Sequence, residues 1–205
     1  MKNVVIVLMI CILIGCEHSD IRHEKPTDES ENYLPLKVGN YWNLEITDNS
    51  LGYADKIHRE VAATATINNH EYYLLITSSA YDNYTYKDSS YYRIDPSGFV
   101  YIYQKAHPNY EDNLFRLNGN DQDSWSYTIE RNNEVQIKLT VESVTLGNTE
   151  ITKCKSYFYN AIQWEDEEYT TTLAPGIGFV KDCGFFSGVC QELKSARING
   201  HVYNF

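Results

Sequence analysis

The stretch YYRIDPSGFVYIY, residues 91–103, decides the fold class, because it reads as two short strands joined by a tight turn. Pro96-Ser97-Gly98 supplies the turn, and the flanking aromatic and β-branched residues favour strands. In the second strand Phe99, Tyr101 and Tyr103 share one face, and Val100 and Ile102 share the other. Both faces of this strand are apolar, so one of the two sets must be covered by something, which is core, a partner or a ligand.

The same pattern continues in both directions along the chain. Apolar residues alternate in several runs, which include Trp42, Leu44 and Ile46, then Ile57, Val61, Ala63, Ala65 and Ile67, and later Trp125, Tyr127 and Ile129. Turn residues separate the runs at Asn68-Asn69, Gly147-Asn148 and Asn199-Gly200. We therefore predict an all-β fold with almost no helix, an antiparallel meander curled into an open barrel or a two-layer β-sandwich.

One strand contains a break in its alternation. Val135, Ile137 and Leu139 are in phase, whereas Val144 and Leu146 are out of phase with them. One extra residue in the strand would account for the slip, so the pattern predicts a β-bulge near Glu142-Ser143.

The amino terminus carries a short apolar segment, residues 4–14, after a single positive charge at Lys2. A helix of this length cannot cross about 30 Å of hydrocarbon, but the length is typical of a signal peptide. The closing string Leu13-Ile14-Gly15-Cys16 resembles the bacterial lipobox, which implies cleavage before Cys16 and acylation, with chains such as palmitate, of its thiol and amino group. The lipid bilayer is then the partner of Cys16. The alternative is an ordinary secretory leader with an incidental cysteine.

This cleavage site divides the chain into three regions. Residues 1–15 are the predicted signal peptide, residues 16–32 the lipidated cysteine with a disordered tether, and residues 33–205 a single β domain. The tether sequence, EHSDIRHEKPTDESEN after Cys16, cannot bury enough apolar surface to offset the entropy of ordering it.

Two further strings carry a resemblance to a family. Residues 33–42, YLPLKVGNYW, and residues 174–181, APGIGFVK, resemble the opening and closing motifs of uncharacterised envelope lipoproteins of Gram-negative bacteria, and the hairpin at residues 91–103 also fits. The resemblance implies a curled antiparallel sheet and a lipid-anchored protein of the cell envelope, with the outer membrane favoured over the inner, and it implies no reaction. In physical terms, Gly39 and Gly176 suit positive φ, and Trp42 suits the core.

The charge of the chain excludes one class of partner. The formal net charge is −11, and no basic stripe is present. Polyanions are repelled by such a surface, so we predict no binding of nucleic acid.

Three cysteines remain in the folded region, Cys154, Cys183 and Cys190. An exported chain enters an oxidising compartment, so one disulfide and one free thiol are expected. Cys183 and Cys190 flank a short hairpin-like segment with two glycines, which favours their pairing and leaves Cys154 as a buried thiol.

No motif in the sequence indicates a metal, a cofactor or a reaction. The histidines are isolated, and Asn118–Asp123 lacks the spacing of a calcium loop, so an acidic turn is favoured there. Glu165–Glu168 could supply paired carboxylates for a glycoside hydrolase, but adjacent carboxylates usually face water. We therefore predict a protein that is not an enzyme and has neither a cofactor nor a metal.

Tyrosine is the unusual component, with 18 residues against 7 Phe and 3 Trp. A tyrosine ring suits either cross-strand packing or a groove for sugars, peptides or acyl chains. The predicted ligand-facing residues are Tyr91, Tyr101, Tyr103 and Trp164. The predicted function is the binding of a small ligand or accessory partner by a membrane-anchored envelope lipoprotein. The alternatives are a structural or adaptor subunit of an envelope complex and, third, a hydrolase.

Overall fold

The computed structural model describes residues 32–46, 56–81, 84–105, 111–129, 133–161, 168–184 and 189–205. Thirteen antiparallel strands and no helix occupy these residues, as the sequence predicted. The strands are β1 (Tyr41–Ile46), β2 (Lys56–Ile67), β3 (His70–Tyr81), β4 (Tyr84–Ile94), β5 (Phe99–Tyr103), β6 (Glu111–Arg116), β7 (Ser124–Ile129), β8 (Asn133–Leu146), β9 (Thr149–Ala161), β10 (Tyr169–Ala174), β11 (Gly178–Gly184), β12 (Cys190–Ile198) and β13 (His201–Asn204).

All thirteen strands belong to one sheet in the order β6-β5-β4-β3-β2-β1-β12-β11-β10-β9-β8-β7, with β13 paired to β12. The first six strands and the next six thus form two consecutive meanders, which join where β1 pairs with β12. The sheet curls until its two edge strands, β6 and β7, lie near each other. The predicted open barrel is confirmed, and no two-layer sandwich of separate sheets forms.

The connections alternate between the two ends of this barrel. At the closed end, tight turns follow β2, β4, β8, β10 and β12, and they contain residues with positive φ such as Asn68, Gly98, Gly147, Gly176 and Gly200. These are the turns that the sequence predicted. The open end is where β2, β4, β6, β8, β10 and β12 begin. Every connection at the open end includes residues outside the described part of the chain.

Two bulges set which side chains face inward. In β8, the pairing with β9 shifts between Glu142 and Val144, so the predicted bulge at Ser143 is confirmed. In β2, the pairing with β3 shifts between Val61 and Ala63. Ile57 and Val61 face the core, but Ala63 and the alternating residues after it lie on the opposite face. The prediction that all five apolar residues of this run share a face was wrong, because the extra residue reverses the alternation.

The core fills the closed half of the barrel. Its fully buried side chains include Trp42, Leu44, Phe115, Ile137, Tyr157 and Leu173. Trp42 lies edge-on to Phe179, with ring centroids 5.3 Å apart, and its Nε1 donates a hydrogen bond of 2.6 Å to the carbonyl oxygen of Ile177. The predicted role of Trp42 as a core residue is therefore confirmed.

The two edge strands, β6 and β7, do not pair with each other, and side chains close the gap between them, which we call the seam. Tyr157 and Tyr159 of β9 donate hydrogen bonds of 3.1 and 3.0 Å to the carbonyl oxygens of Arg116 and Leu114. The Nζ of Lys155, also on β9, lies 2.5 and 2.8 Å from the carbonyl oxygens of Leu117 and Gly119. Carbonyl groups that would otherwise be left unpaired are thereby satisfied, and the edge is covered.

Candidate functional site

Four tyrosines from four strands face inward near the open end. They form what we call the interior tyrosine layer: Tyr92 of β4, Tyr127 of β7, Tyr159 of β9 and Tyr169 of β10. Their registers identify the inward face, since Tyr169 is opposite Tyr159, which is opposite the core residue Ile137. Tyr127 is opposite the buried Val135.

Solvent reaches this layer but not the core below it. Tyr92 and Tyr127 are half-buried, and Tyr169 retains 39% of its surface exposed. Further down the same inward faces, Leu173 and Leu139 have no exposed surface. The inward face is therefore closed to solvent at the level of Leu173 and partly exposed to it at Tyr92, Tyr127 and Tyr169.

Within the layer, Tyr159 forms the floor. Its ring stacks on that of Tyr169 with a centroid separation of 4.2 Å and an angle of 15°. Burial raises the pKa of Tyr159 well above its ordinary value, and the phenols of Tyr169 and Tyr127 raise it further. Burial likewise raises the pKa of Tyr92 to about 12. All of these hydroxyls therefore remain protonated donors at neutral pH.

An ion pair lies beside the layer on the inward faces of β2 and β11. The Nη1 of Arg59 is 2.6 Å from the Oδ2 of Asp182, and both side chains are largely buried. The guanidinium also lies 4.7 Å from the ring centroid of Phe179. The carboxylate of Asp182 is near enough to the layer to contribute to the raised pKa of Tyr169, after burial and the neighbouring tyrosines Tyr127 and Tyr92. The accessible interior thus combines aromatic faces, phenol hydroxyls and one fixed ion pair.

Three of the predicted ligand-facing residues lie together on the opposite face of the sheet. Tyr91, Tyr101 and Tyr103 share that face with Tyr72, and we call these four the outer tyrosine cluster. The rings of Tyr91 and Tyr103 are 6.1 Å apart, and those of Tyr72 and Tyr103 are 6.0 Å apart. Tyr91 keeps 8% of its surface exposed, and Tyr101 and Tyr103 are half-buried.

Arg93 and Glu111 complete the outer cluster. The guanidinium of Arg93 lies 4.0 Å from the ring centroid of Tyr101 and donates bonds of 2.7 and 2.5 Å to the two carboxylate oxygens of Glu111. This pairing lowers the pKa of Glu111, while burial and the hydrogen bond to Glu111 raise the pKa of Tyr72. The side chains of Arg93 and Glu111 therefore cover much of this apolar face, which the sequence analysis expected to be covered.

A third feature is a shallow groove of about 450 Å³ on the outer surface of β7, β8 and β9. We call it the outer groove. The residues that line it are Ser124, Trp125, Ser126, Gln136, Ile137, Lys138, Phe158 and Asn160. Phe158 and Asn160 are half-buried, and the two serines, Gln136 and Lys138 are exposed.

The remaining predicted site residues divide into two groups. Cys183 and Cys190 form the predicted disulfide, which joins the end of β11 to the start of β12 at the open end. Cys154 is free and fully buried, and burial raises its pKa to about 11. Cys16, Trp164 and the carboxylates Glu165 to Glu167 lie outside the described residues.

The described residues bring together no group of three His, Cys, Asp or Glu side chains that could hold a metal ion. In that same part of the chain, no helix is long and apolar enough to span a membrane.

Sequence reasoning did not single out the interior layer or the Arg59–Asp182 pair. The inward position of Tyr92 could in principle have been predicted, because alternation puts Tyr92 on the same face of β4 as Ile94 and on the face opposite to Tyr91. In the structure, its partner across the strands in β5 is the inward-facing Ile102. No local signal showed that Tyr169 is opposite Tyr159, because that register depends on how β9 and β10 pair and not on the residues next to either tyrosine.

Comparison with known proteins gives distant structural likeness only. No protein-family model and no curated protein matches this chain. A crystal structure of a protein described as a lipoprotein from Parabacteroides distasonis is similar with a TM-score of 0.44 and 12% identity, over 80% of this chain and 97% of that one. A protein described as exported, with a YmcC-like fold, from Bacteroides fragilis is similar with a TM-score of 0.44 and 12% identity, over 83% of this chain and 98% of that one. A likeness this distant carries no argument about family or function.

Proposed function

We propose that this protein is a lipid-anchored, non-catalytic lipoprotein of the cell envelope that binds a small, largely apolar ligand inside the open end of its barrel. The observation that carries the proposal is the accessible interior tyrosine layer. Binding sites are typically concave and lined by aromatic side chains with a few placed polar groups. The layer has this composition, and the exposed 39% of Tyr169 is surface that a ligand can cover.

The polar groups of the interior suit recognition rather than chemistry. Arg59 and Asp182 neutralise each other at 2.6 Å, and the buried Oδ1 of Asp182, which has no hydrogen-bond partner among the described residues, can accept a hydrogen bond from a ligand. The raised pKa of Tyr92, about 12, makes its hydroxyl a hydrogen-bond donor and a poor base at neutral pH. These residues can orient a ligand by hydrogen bonds while the rings cover its apolar surface.

The anchor rests on the sequence of residues 13–16 and is tested separately. In the full chain expressed in a Gram-negative host, Cys16→Ala should lose acylation and move from the membrane fraction to the soluble fraction, because an acidic domain has no other affinity for lipid. Cys154→Ala is the matched control, since that thiol is buried. A Cys16→Ala chain that is processed like the wild type and still sediments with membranes would refute the lipid anchor.

Ligand binding is tested with the uncharged dye Nile red, whose fluorescence rises in apolar surroundings. Dye affinity is measured for the wild type, Tyr127→Ala and Tyr169→Ala, with Tyr101→Ala as the control from the outer tyrosine cluster. Each interior ring contributes about 0.5–1.5 kcal/mol of specific contact, so its loss should weaken binding by roughly two- to tenfold. The control should bind like the wild type.

The opposite patterns are equally informative. A loss of dye affinity confined to Tyr101→Ala would place the ligand on the outer tyrosine cluster, as the sequence first suggested, and would refute the interior site. If no variant changes the affinity, neither tyrosine cluster binds small apolar molecules, and an adaptor role becomes the better hypothesis.

A further inference from the structure

The outer groove has a regular geometry that follows from strand pairing. Ser126, Gln136 and Asn160 are directly opposite one another on β7, β8 and β9, and so are Ser124, Lys138 and Phe158. These six positions form two parallel rows of three. With strands about 4.8 Å apart and residues of one face about 6.8 Å apart along a strand, the side chains frame a patch of roughly 10 by 7 Å.

The outward-facing side chains of the groove combine amides, hydroxyls, the amine of Lys138 and one aromatic ring, whereas Trp125 and Ile137 are opposite each other on the inward face. Gln136 and Asn160 each offer a donor and an acceptor, and the serines offer hydroxyls that act as either. Phe158 lies partly buried between these polar groups and Thr170 of β10, its partner across the strands. Closely spaced hydroxyls with an apolar face of C–H groups are the chemistry of a sugar ring, and this set of side chains matches both of its surfaces.

The local charge selects among polar ligands. Lys138 is the one charged side chain among the described residues that line the groove, and it repels a cationic ligand there. The chain as a whole carries a formal charge of −11, which repels phosphates and polyanions. A ligand without net charge therefore meets the least electrostatic cost.

We propose that the outer groove binds a neutral saccharide, with one or two sugar rings lying over Phe158 between the amides of Gln136 and Asn160. This site is on the outside of the sheet and is separate from the barrel interior. A lipid-anchored protein with such a groove would hold a neutral glycan of the envelope at its surface while the interior takes a different ligand.

The test uses amide chemical shifts of the full chain titrated with two probes, cellotriose, which is neutral, and trigalacturonic acid, which is anionic. We expect cellotriose to shift the amide signals of Gln136, Lys138, Phe158 and Asn160 with a dissociation constant in the millimolar range. Phe158→Ala and Asn160→Ala should each weaken that affinity at least about fivefold. Thr152→Ala, an exposed residue on the same strand outside the groove, is the control and should change nothing.

Three outcomes would overturn the proposal. The first is the absence of shifts in the groove with either probe, while the wild-type spectrum shows a folded protein. The second is a response to cellotriose that Phe158→Ala and Asn160→Ala leave unchanged. The third is a response to trigalacturonic acid alone that Lys138→Gln abolishes, because it would make the groove an anion site. Nile red binding by the same Phe158→Ala protein serves as the folding control, since the two sites share no tested residue.

Discussion

Gly178, at the start of β11, is the position where the structure predicts the sharpest effect of adding one methyl group. Its φ is +97°, and an ideal Cβ there would lie 2.7 Å from the Nε1 of Trp42 and 2.9 Å from two ring carbons. The indole cannot retreat easily, because it is fully buried and its Nε1 is bonded to the carbonyl oxygen of Ile177.

Gly178→Ala should therefore suffer two separate costs. A non-glycine residue in the left-handed region costs about 1–2 kcal/mol, and overpacking against a fixed ring costs about 1–3 kcal/mol. The free energy of unfolding should fall by about 2–5 kcal/mol. Gly200→Ala is the matched control, because its φ is +88° and no atom lies within 4 Å of its ideal Cβ. It should lose only the first term, about 1–2 kcal/mol.

Urea unfolding followed by tryptophan fluorescence measures both variants, with the free energy extrapolated linearly to water. The decisive quantity is the difference between the two losses of unfolding free energy. Gly178→Ala should lose about 1–3 kcal/mol more than Gly200→Ala. Equal losses would mean that the contact between Gly178 and Trp42 is not tight, and the account of the closed end as a rigid core would be wrong.

Three further predictions follow from the buried hydroxyls and the free thiol. Tyr159→Phe should lower the unfolding free energy by about 1–3 kcal/mol, since the carbonyl of Leu114 loses its donor; Tyr33→Phe, whose hydroxyl bonds to Lys153 at the surface, should cost less in the same urea assay. The pKa values of Tyr92, Tyr127, Tyr157 and Tyr159 are raised in the folded state, so the stability that these phenols contribute should be constant below pH 10 and should be lost above it, because the unfolded phenols ionise first; urea midpoints that rise with pH above 10 would contradict the burial. Cys154, with its pKa raised to about 11, should resist iodoacetamide at neutral pH until urea unfolds the chain, as mass spectrometry can determine.

Local sequence patterns predicted those turns and bulges that are determined by residues close together in the sequence. The hairpin around Gly98 was predictable because its φ of +83° suits glycine and the flanking residues alternate cleanly. The bulge at Ser143 was predictable because apolar residues on both sides recorded the change of phase. The bulge after Val61 escaped prediction, since the residues that follow it are small, three alanines among the next four, and small residues are tolerated on either face.

Contacts between distant strands could not be read from the sequence. Lys155 looks like an ordinary surface lysine in a strand, yet its Nζ is buried against the carbonyl oxygens of Leu117 and Gly119, residues on the far side of the seam. The same holds for Arg59, whose partner Asp182 lies on β11 in the second meander. Such partners become evident only once β1 and β12 have paired, because that pairing brings the two meanders together.

The place of the candidate ligand site follows from the number of strands and the size of the inward side chains. Eight strands enclose an interior that side chains can just fill, and a wider sheet must either flatten or leave space. Tyr157 and Tyr159 of β9 reach across this interior to the backbone of β6 and fill it at their level. Tyr127, near the end of β7, and Tyr169, the first residue of β10, keep part of their surface exposed beside the fully buried Tyr159. These partly exposed rings are the ones that the proposed ligand would meet.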